Sequence, residues 1–341
     1  RNANVLVIGG GVGGLTAAIA LRRAGHTVTV IEKDPDWSVY GVGIIQQSNV
    51  IRAMAELELL DDYLAAGVPF DNIAIHTPDG TKVAEIPAPR LTENYPANVG
   101  IGRPALHKVL GDRTIASGAD VRLGVTAQSL DDRGDAVHVV FSDGESGDFD
   151  LVVGADGVYS DTRQKIMPDA EQPEFTGQSV WRYNFKRPAD LNALHVYNGP
   201  TGIGLVPISE ELMYMYVTTP EPDNPHYPRE GCAEAMRKKL AKAPPQIQEL
   251  RTPCCRLPRK APAWRSRTVS FSPTNYHNTQ HRKKPSRPIA TAVSSAANTS
   301  SRSRWPFATG NSARAPRSIM LRQPTKCSGS FRSRSDSKFK D

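Results

Sequence analysis

A chain of 341 residues, 39% of them hydrophobic, has room for two or three domains and a sizeable buried core. Its formal net charge of +7 averages two unlike parts: residues 1–250 carry 22 Lys+Arg against 33 Asp+Glu, and residues 251–341 carry 20 against 2. So abrupt a change of sign marks a boundary near Leu250 and argues against reading the whole chain as one basic domain.

No stretch approaches eighteen uncharged apolar residues, so no membrane-spanning helix is expected. The chain opens on an apolar strand, without the charged start, apolar run and cleavage site of a signal peptide. Of the four cysteines, Cys254 and Cys255 are adjacent, which suits neither a disulfide framework nor a metal knuckle. A cytoplasmic protein without a metal site is the expectation.

The first elements come from NVLVIGGGVGGLTAAIALRRAGHTVTVIEKD. Asn4–Ile8 is a short apolar run rich in β-branched residues, which predicts a buried parallel strand. Gly9, Gly11 and Gly14 then give G-x-G-x-x-G, with Val12 and Gly13 filling the turn. A helix is expected from Leu15 to Ala24, ended by Gly25, and a second strand over Thr27–Ile31. Glu32 and Lys33 follow it. Each glycine has a physical role: Gly9 permits the tight turn, Gly11 lets backbone approach a pyrophosphate, and Gly14 brings helix close to strand. The N–H groups at the helix start face the phosphates. Glu32 accepts from ribose hydroxyls and repels a 2′-phosphate, which favours a plain adenosine. Strand, glycines, helix, strand and acid in this order predict a dinucleotide site.

Four further stretches decide which dinucleotide. GVGIIQQSNVIRAMAELELLDDYLAAG contains Gly43 and Asn49; IGRPALHKVL contains Arg103 before a short helix; VRLGVTAQ contains Val125; LVVGADGVYSDTR contains Asp156, Gly157, Ser160 and Arg163. Together these resemble the FAD-dependent aromatic-ring monooxygenases, the group typified by p-hydroxybenzoate, salicylate and 6-hydroxynicotinate hydroxylases. The resemblance implies an Asp-Gly pair beside the flavin (Asp156, Gly157), an arginine against the flavin and its phosphates (Arg103), a backbone contact to adenine (Val125) and flavin contacts near Gly43. It implies FAD as cofactor, NAD(P)H as co-substrate and a small aromatic, phenol- or pyridine-like substrate. Ser48 stands where the family has proline. Ile45 stands where some relatives hold a catalytic histidine, so no catalytic residue is assigned.

The fold expected is α/β: a Rossmann-like FAD-binding domain of the p-hydroxybenzoate hydroxylase type over residues 1–72 and 99–172, with an interleaved, mostly antiparallel substrate sheet over residues 73–98 and 173–250. LHVYNG, IGLVPI and LMYMYVTT have strand length and pattern. A pocket for a flat ring is expected to draw on Trp181, Tyr183, Tyr214 and Tyr216. Arg182 is either a ligand for a substrate carboxylate or a surface group, and His195 reads as structural.

Residues 251–341 are rich in Arg, Ser, Pro and Thr without hydrophobic period, which predicts a disordered, low-complexity basic tail. Relatives continue instead with a strand ending G-D-x-x-H-x-M-x-P and then x-x-x-Q-G-x-x-x-x-I-E-D on a helix. Moving the reading frame by one nucleotide joins the last base of each codon to the first two of the next. RTPCCRLPRK then permits H-A-M-L-P-x-x-x-Q-G, and KAPAWRSRT permits G-A-G-M-A-I-E-D. Only one base of each shifted codon is free, so agreement over this many positions is not expected by chance. The frame is therefore read as lost near Glu249–Leu250. The rival readings are a nucleic-acid-binding arm, bound through salt-sensitive phosphate contacts, and a phosphorylated Ser/Arg tract. For the protein itself, the alternatives to a monooxygenase are a non-catalytic remnant lacking the second FAD motif and an FAD-dependent dehydrogenase. Sequencing the coding DNA is expected to reveal the overlapping G-A-G-M-A-I-E-D frame. Codons that do not permit it would end the frameshift reading.

Overall fold

The computed structural model describes residues 2–39, 41–199 and 201–250, and residues 256–263 as backbone. A four-stranded parallel sheet runs in the order Leu151–Gly154, Asn4–Ile8, Thr27–Glu32, Asp120–Leu123. Its central strand alternates between two apolar layers. Val5 and Val7 pack with Ala18, Val28 and Val30 beneath the first helix. Leu6 and Ile8 pack with Ile31 and Val152 against Val139, Phe141 and Phe149. These last residues belong to a three-stranded antiparallel sheet, Ala127–Asp132, Val137–Phe141 and Ser146–Phe149. Burial on both faces explains why the strand sequence has no polar alternation.

The first helix is Val12–Arg23, three residues longer at its start than its composition predicts. The extra residues are Val12, Gly13 and Gly14. Glycine is a poor helix former by propensity, and here close packing against the first strand overrides that cost. Gly25, at φ +86°, ends the helix.

A second three-stranded antiparallel sheet, Gly43–Gln47, Asn98–Gly102 and Gly67–Phe70, forms the middle of the molecule. One face packs on the helices Ser48–Glu56, Leu60–Ala65 and Arg103–Ala116 through Val99 and Ile101. The other meets a seven-stranded sheet, ordered Arg256–Ala263, Glu174–Lys186, Leu212–Pro220, Gly202–Pro207, Leu194–Tyr197, Asn72–His76, Lys82–Pro87. That sheet is antiparallel except where Leu194–Tyr197 runs parallel to Asn72–His76. Two of its strands therefore come from residues 72–87 and the others from residues 174–263, which interleaves the large sheet with the parallel fold.

Residues 256–263, expected within an unstructured tail, run as an edge strand beside Glu174–Lys186 with two register shifts. Their prolines, Pro258 and Pro262, are tolerated at such an edge and at its irregularities. The rest of the expected tail lies outside the described residues. Among the described residues no helix is long and apolar enough to cross a membrane.

The back of the large sheet is covered by the helices Cys232–Lys239 and Pro245–Gln248. Met236, Leu240 and Ile247 pack there on Trp181, Met215, Val217 and Ile203. At one end of this layer the His76 ring stacks on Tyr197 at 4.4 Å and lies 5.0 Å from the ring of His195. Burial, then the neighbouring His76 and Lys82, hold the pKa of His195 below its ordinary 6.5, against the opposing pull of Asp190 and Glu85. Folding thus favours the neutral ring. Its contribution is complete above about pH 6.5 and is lost as pH falls through the depressed folded-state value. The urea midpoint is expected to drop between pH 7 and pH 5. The His195→Gln variant should show a flatter dependence, and an identical slope in both proteins would refute the assignment.

Candidate cofactor and substrate site

The ends of the parallel strands border an open groove of about 210 Å³. It is lined by Ile8, Gly9, Gly11, Ile31, Glu32, Lys33, Val125, Thr126, Ala155, Asp156 and Gly157. Three glycines shape it for different reasons. Gly9 has φ +113°, and a Cβ there would lie 2.5 Å from the Ala155 carbonyl oxygen. A Cβ on Gly14 would lie 1.8 Å from the Gly9 carbonyl oxygen, so helix and strand touch backbone to backbone. Gly11 is different. Its φ of −80° and ψ of −178° suit any residue, and a Cβ there would meet nothing within 4 Å. The protein's own packing requires Gly9 and Gly14. It does not require Gly11, whose missing side chain leaves room for a ligand at the start of the helix.

The polar groups of the groove suit an ADP moiety at that place. Helix N–H groups and Lys33 favour phosphate. Glu32 accepts the Gly10 N–H at 2.8 Å on Oε2 and the Asp34 N–H at 2.9 Å on Oε1. Each oxygen keeps a further lone pair for a ribose hydroxyl. The Asp156 carboxylate enters from a separate strand. Its Oδ1 accepts the Ser160 hydroxyl and its Oδ2 the Thr162 N–H at 2.9 Å, which also steadies the start of the helix Asp161–Ile166.

The remaining residues expected at the cofactor do not line this groove. Val12, Gly13 and Gly14 form the first turn of the helix but do not line the groove; Val12 packs into the core beside Leu15 and Ile19. Gly43 also lies outside it. A Cβ on Gly43 would lie 2.5 Å from the Tyr214 Cβ, so contact between two sheets explains this glycine. Arg103 opens the helix Arg103–Ala116, and its N–H donates to the Val42 carbonyl at 3.0 Å. Thr126 and Ala155 line the groove without having been singled out. Only their adjacency to Val125 and Asp156 hinted at them.

Beyond Gly43 the front of the large sheet carries a second polar cluster. Strand alternation puts Arg182 and Asn184 on one side, opposite Tyr216 and Tyr214 in register. The Asn184 Nδ2 donates to the Gly41 carbonyl at 2.8 Å, while its Oδ1 and the Arg182 Nε are buried without a hydrogen-bond partner among the described residues. Burial raises the pKa of Tyr214, with Arg182 and Arg103 pulling it back, and pushes Tyr216 up to about 12. Both phenols therefore remain protonated donors through neutral pH. Val42, Val206, Ile208 and Leu194 supply apolar walls.

The expectation that four aromatics share one pocket needs correction. Trp181 and Tyr183 alternate with Arg182 and Asn184, so they face the back of the sheet. Trp181 is fully buried there, donating from Nε1 to the Thr219 hydroxyl at 2.9 Å, and Tyr183 packs on Phe185. Tyr214 and Tyr216 alone are at the front.

Residues 2–251 match the family model described as FAD binding domain. The 3-amino-4-hydroxybenzoate 2-monooxygenase of Streptomyces cremeus is 37% identical over 185 residues, 53% of this chain and 46% of that protein. The aurachin C monooxygenase/isomerase of Stigmatella aurantiaca is 31% identical, covering 64% of this chain and 57% of that one. The chain thus spans about half the length of these curated relatives. Among solved structures, Klebsiella pneumoniae HpxO complexed with FAD and uric acid superposes with a TM-score of 0.64 at 25% identity, covering 72% of this chain and 64% of that one.

The two helix-turn glycines separate folding from binding. Gly11→Ala is expected to keep its thermal midpoint within a few degrees and to weaken ADP and FAD binding at least about tenfold, since a methyl group would occupy the phosphate's place. Gly14→Ala is expected to give no soluble folded protein. Calorimetric titration and thermal unfolding read both, and ADP bound by Gly11→Ala as by the parent would refute the role given to Gly11.

Proposed function

The chain belongs to the FAD binding domain family through residues 2–251, and from that premise we propose that it is an FAD-dependent monooxygenase hydroxylating a small aromatic substrate with NAD(P)H and O₂. The observation that carries the proposal is the pairing of the Gly11 groove with a separate, cationic and phenol-bearing face beyond Gly43. A merely structural fold has no use for either. Bound FAD would supply the redox chemistry, accepting reducing equivalents from NAD(P)H and activating oxygen.

The chain's own residues do the rest. Gly11 and the helix start hold the pyrophosphate, Glu32 and Asp156 accept hydroxyls of the ribose and the ribityl chain, and Arg103 stands toward the flavin end. Arg182 lies half-buried on the front face, its Nε enclosed, with no carboxylate paired to it among the described residues. It attracts an anionic or strongly polarised group on the ring, such as a carboxylate or phenolate. Tyr214 and Tyr216 donate hydrogen bonds, Asn184 accepts one, and the apolar walls keep water from the reacting atoms. The raised pKa values of both tyrosines make them donors and not bases. Ring activation then rests on a substrate that arrives as its electron-rich anion, the ionised form that Arg182 favours.

The cysteine usage supports a cytoplasmic enzyme, and the reading assigns no role to nucleic acid or to residues 251–341. Purified whole chain is expected to be yellow, with one FAD per chain, and to oxidise NAD(P)H faster with a hydroxylated benzoate or pyridine carboxylate. Label from ¹⁸O₂ should enter the product. Arg182→Met is expected to raise KM for a carboxylate substrate about tenfold or more, the worth of a hydrogen bond to a charged group. Flavin reduction without incorporation of label would favour the dehydrogenase, and a colourless protein that takes up no FAD would favour the remnant.

A further inference from the structure

The backbone of Gly10 is held at both of its flanking peptide groups. Its N–H donates to the Glu32 Oε2 at 2.8 Å. Its carbonyl oxygen accepts from the indole Nε1 of Trp37 at 2.8 Å and makes a second contact of 2.9 Å with the Nε2 of His107. The His107 contact is a hydrogen bond only with the proton on Nε2, because a carbonyl cannot donate. Both lone pairs of the carbonyl are then engaged by side chains from distant segments. The two rings brace one another edge to face, with centroids 5.1 Å apart.

The arrangement is not incidental packing. Trp37 has φ +46°, a conformation uncommon for a bulky residue. It is held there by a turn that the Asp34 carboxylate stabilises, accepting the Asp36 and Ser38 N–H groups, both at 3.0 Å. His107 is buried, one helical turn beyond Arg103. Neither Trp37 nor His107 lines the groove, so both grip the turn from behind.

Peptide planarity gives this grip a consequence. In a trans peptide the carbonyl of Gly10 and the N–H of Gly11 share one plane and point in opposite directions. Fixing the carbonyl toward Trp37 and His107 fixes the Gly11 N–H toward the groove. Two donors on the carbonyl also polarise the peptide and strengthen that N–H as a donor. We propose that Trp37 and His107 are positioning residues that aim the Gly11 N–H at the cofactor pyrophosphate, so that pyrophosphate affinity is set from outside the groove. The inference rests on the FAD reading of the same site.

The test compares adenosine, ADP and FAD as ligands of the whole apo chain by calorimetric titration, with thermal unfolding as the folding control. Trp37→Phe and His107→Phe each remove one donor and keep a ring. Each is expected to weaken ADP and FAD about tenfold, the worth of one hydrogen bond, and to leave adenosine affinity within about twofold. His107→Gln, which returns an N–H near the same place, should restore ADP binding. If His107→Phe does not fold, Trp37→Phe and His107→Gln carry the comparison. Unchanged ADP affinity in Trp37→Phe, or equal losses for adenosine and ADP, would overturn the inference while leaving the cofactor reading intact. A parent chain that binds neither ADP nor FAD would overturn both.

Discussion

The contact between the Gly14 α-carbon and the Gly9 carbonyl is the constraint on which the rest of the site depends. With no side chain between them, the first helix lies directly on the end of the first strand. That proximity leaves Gly11 and the free helix N–H groups facing the groove instead of the core. It also sets the distance at which Glu32, at the end of the neighbouring strand, reaches the Gly10 N–H. Separating helix from strand by one methyl group would move all of these together.

The large sheet solves a different problem. A strand exposes alternate residues on opposite faces, so one strand can serve a polar site and an apolar core together. Glu174–Lys186 does this: Trp181 anchors the back, and Arg182 and Asn184 face the front. The back needs its own polar closure where the indole N–H is buried. Thr219 accepts it and donates to the Glu221 carboxylate, which also takes the Tyr227 hydroxyl and pairs with Lys239 at 2.7 Å. Burial opposes charge on Glu221, and the bonds from Lys239, Thr219 and Tyr227 outweigh it, holding its pKa below the usual carboxylate value. This network fastens the helix Cys232–Lys239 over the sheet, so the front face is presented on a rigid support.

Between the two lies the small middle sheet, and its glycines explain how the halves come within reach. Gly43 sits against Tyr214 with no room for a side chain. Arg103 starts its helix at the end of the adjacent strand, and its charge reaches Tyr214. The groove and the Arg182 face are thus joined through one short layer.

The sequence by itself determined whatever depends on neighbours along the chain. The G-x-G-x-x-G turn, its flanking strands, the acid at position 32 and the charge break near Leu250 are all local patterns, because strand period, helix propensity and turn sterics act over a few residues. The alternation in WRYN was equally local, and it already separated Trp181 from Arg182, although aromatic composition suggested one pocket. Only the tertiary structure decided what distant segments do to one another. It brought Asp156 and Thr126 to the Gly9 turn, assigned Gly43 to sheet contact, placed Arg182 beside Tyr214 and Tyr216, and put Trp37 and His107 behind Gly10. Those outcomes follow from which faces pack together, and a pairing between residues a hundred positions apart leaves no periodic trace in the chain.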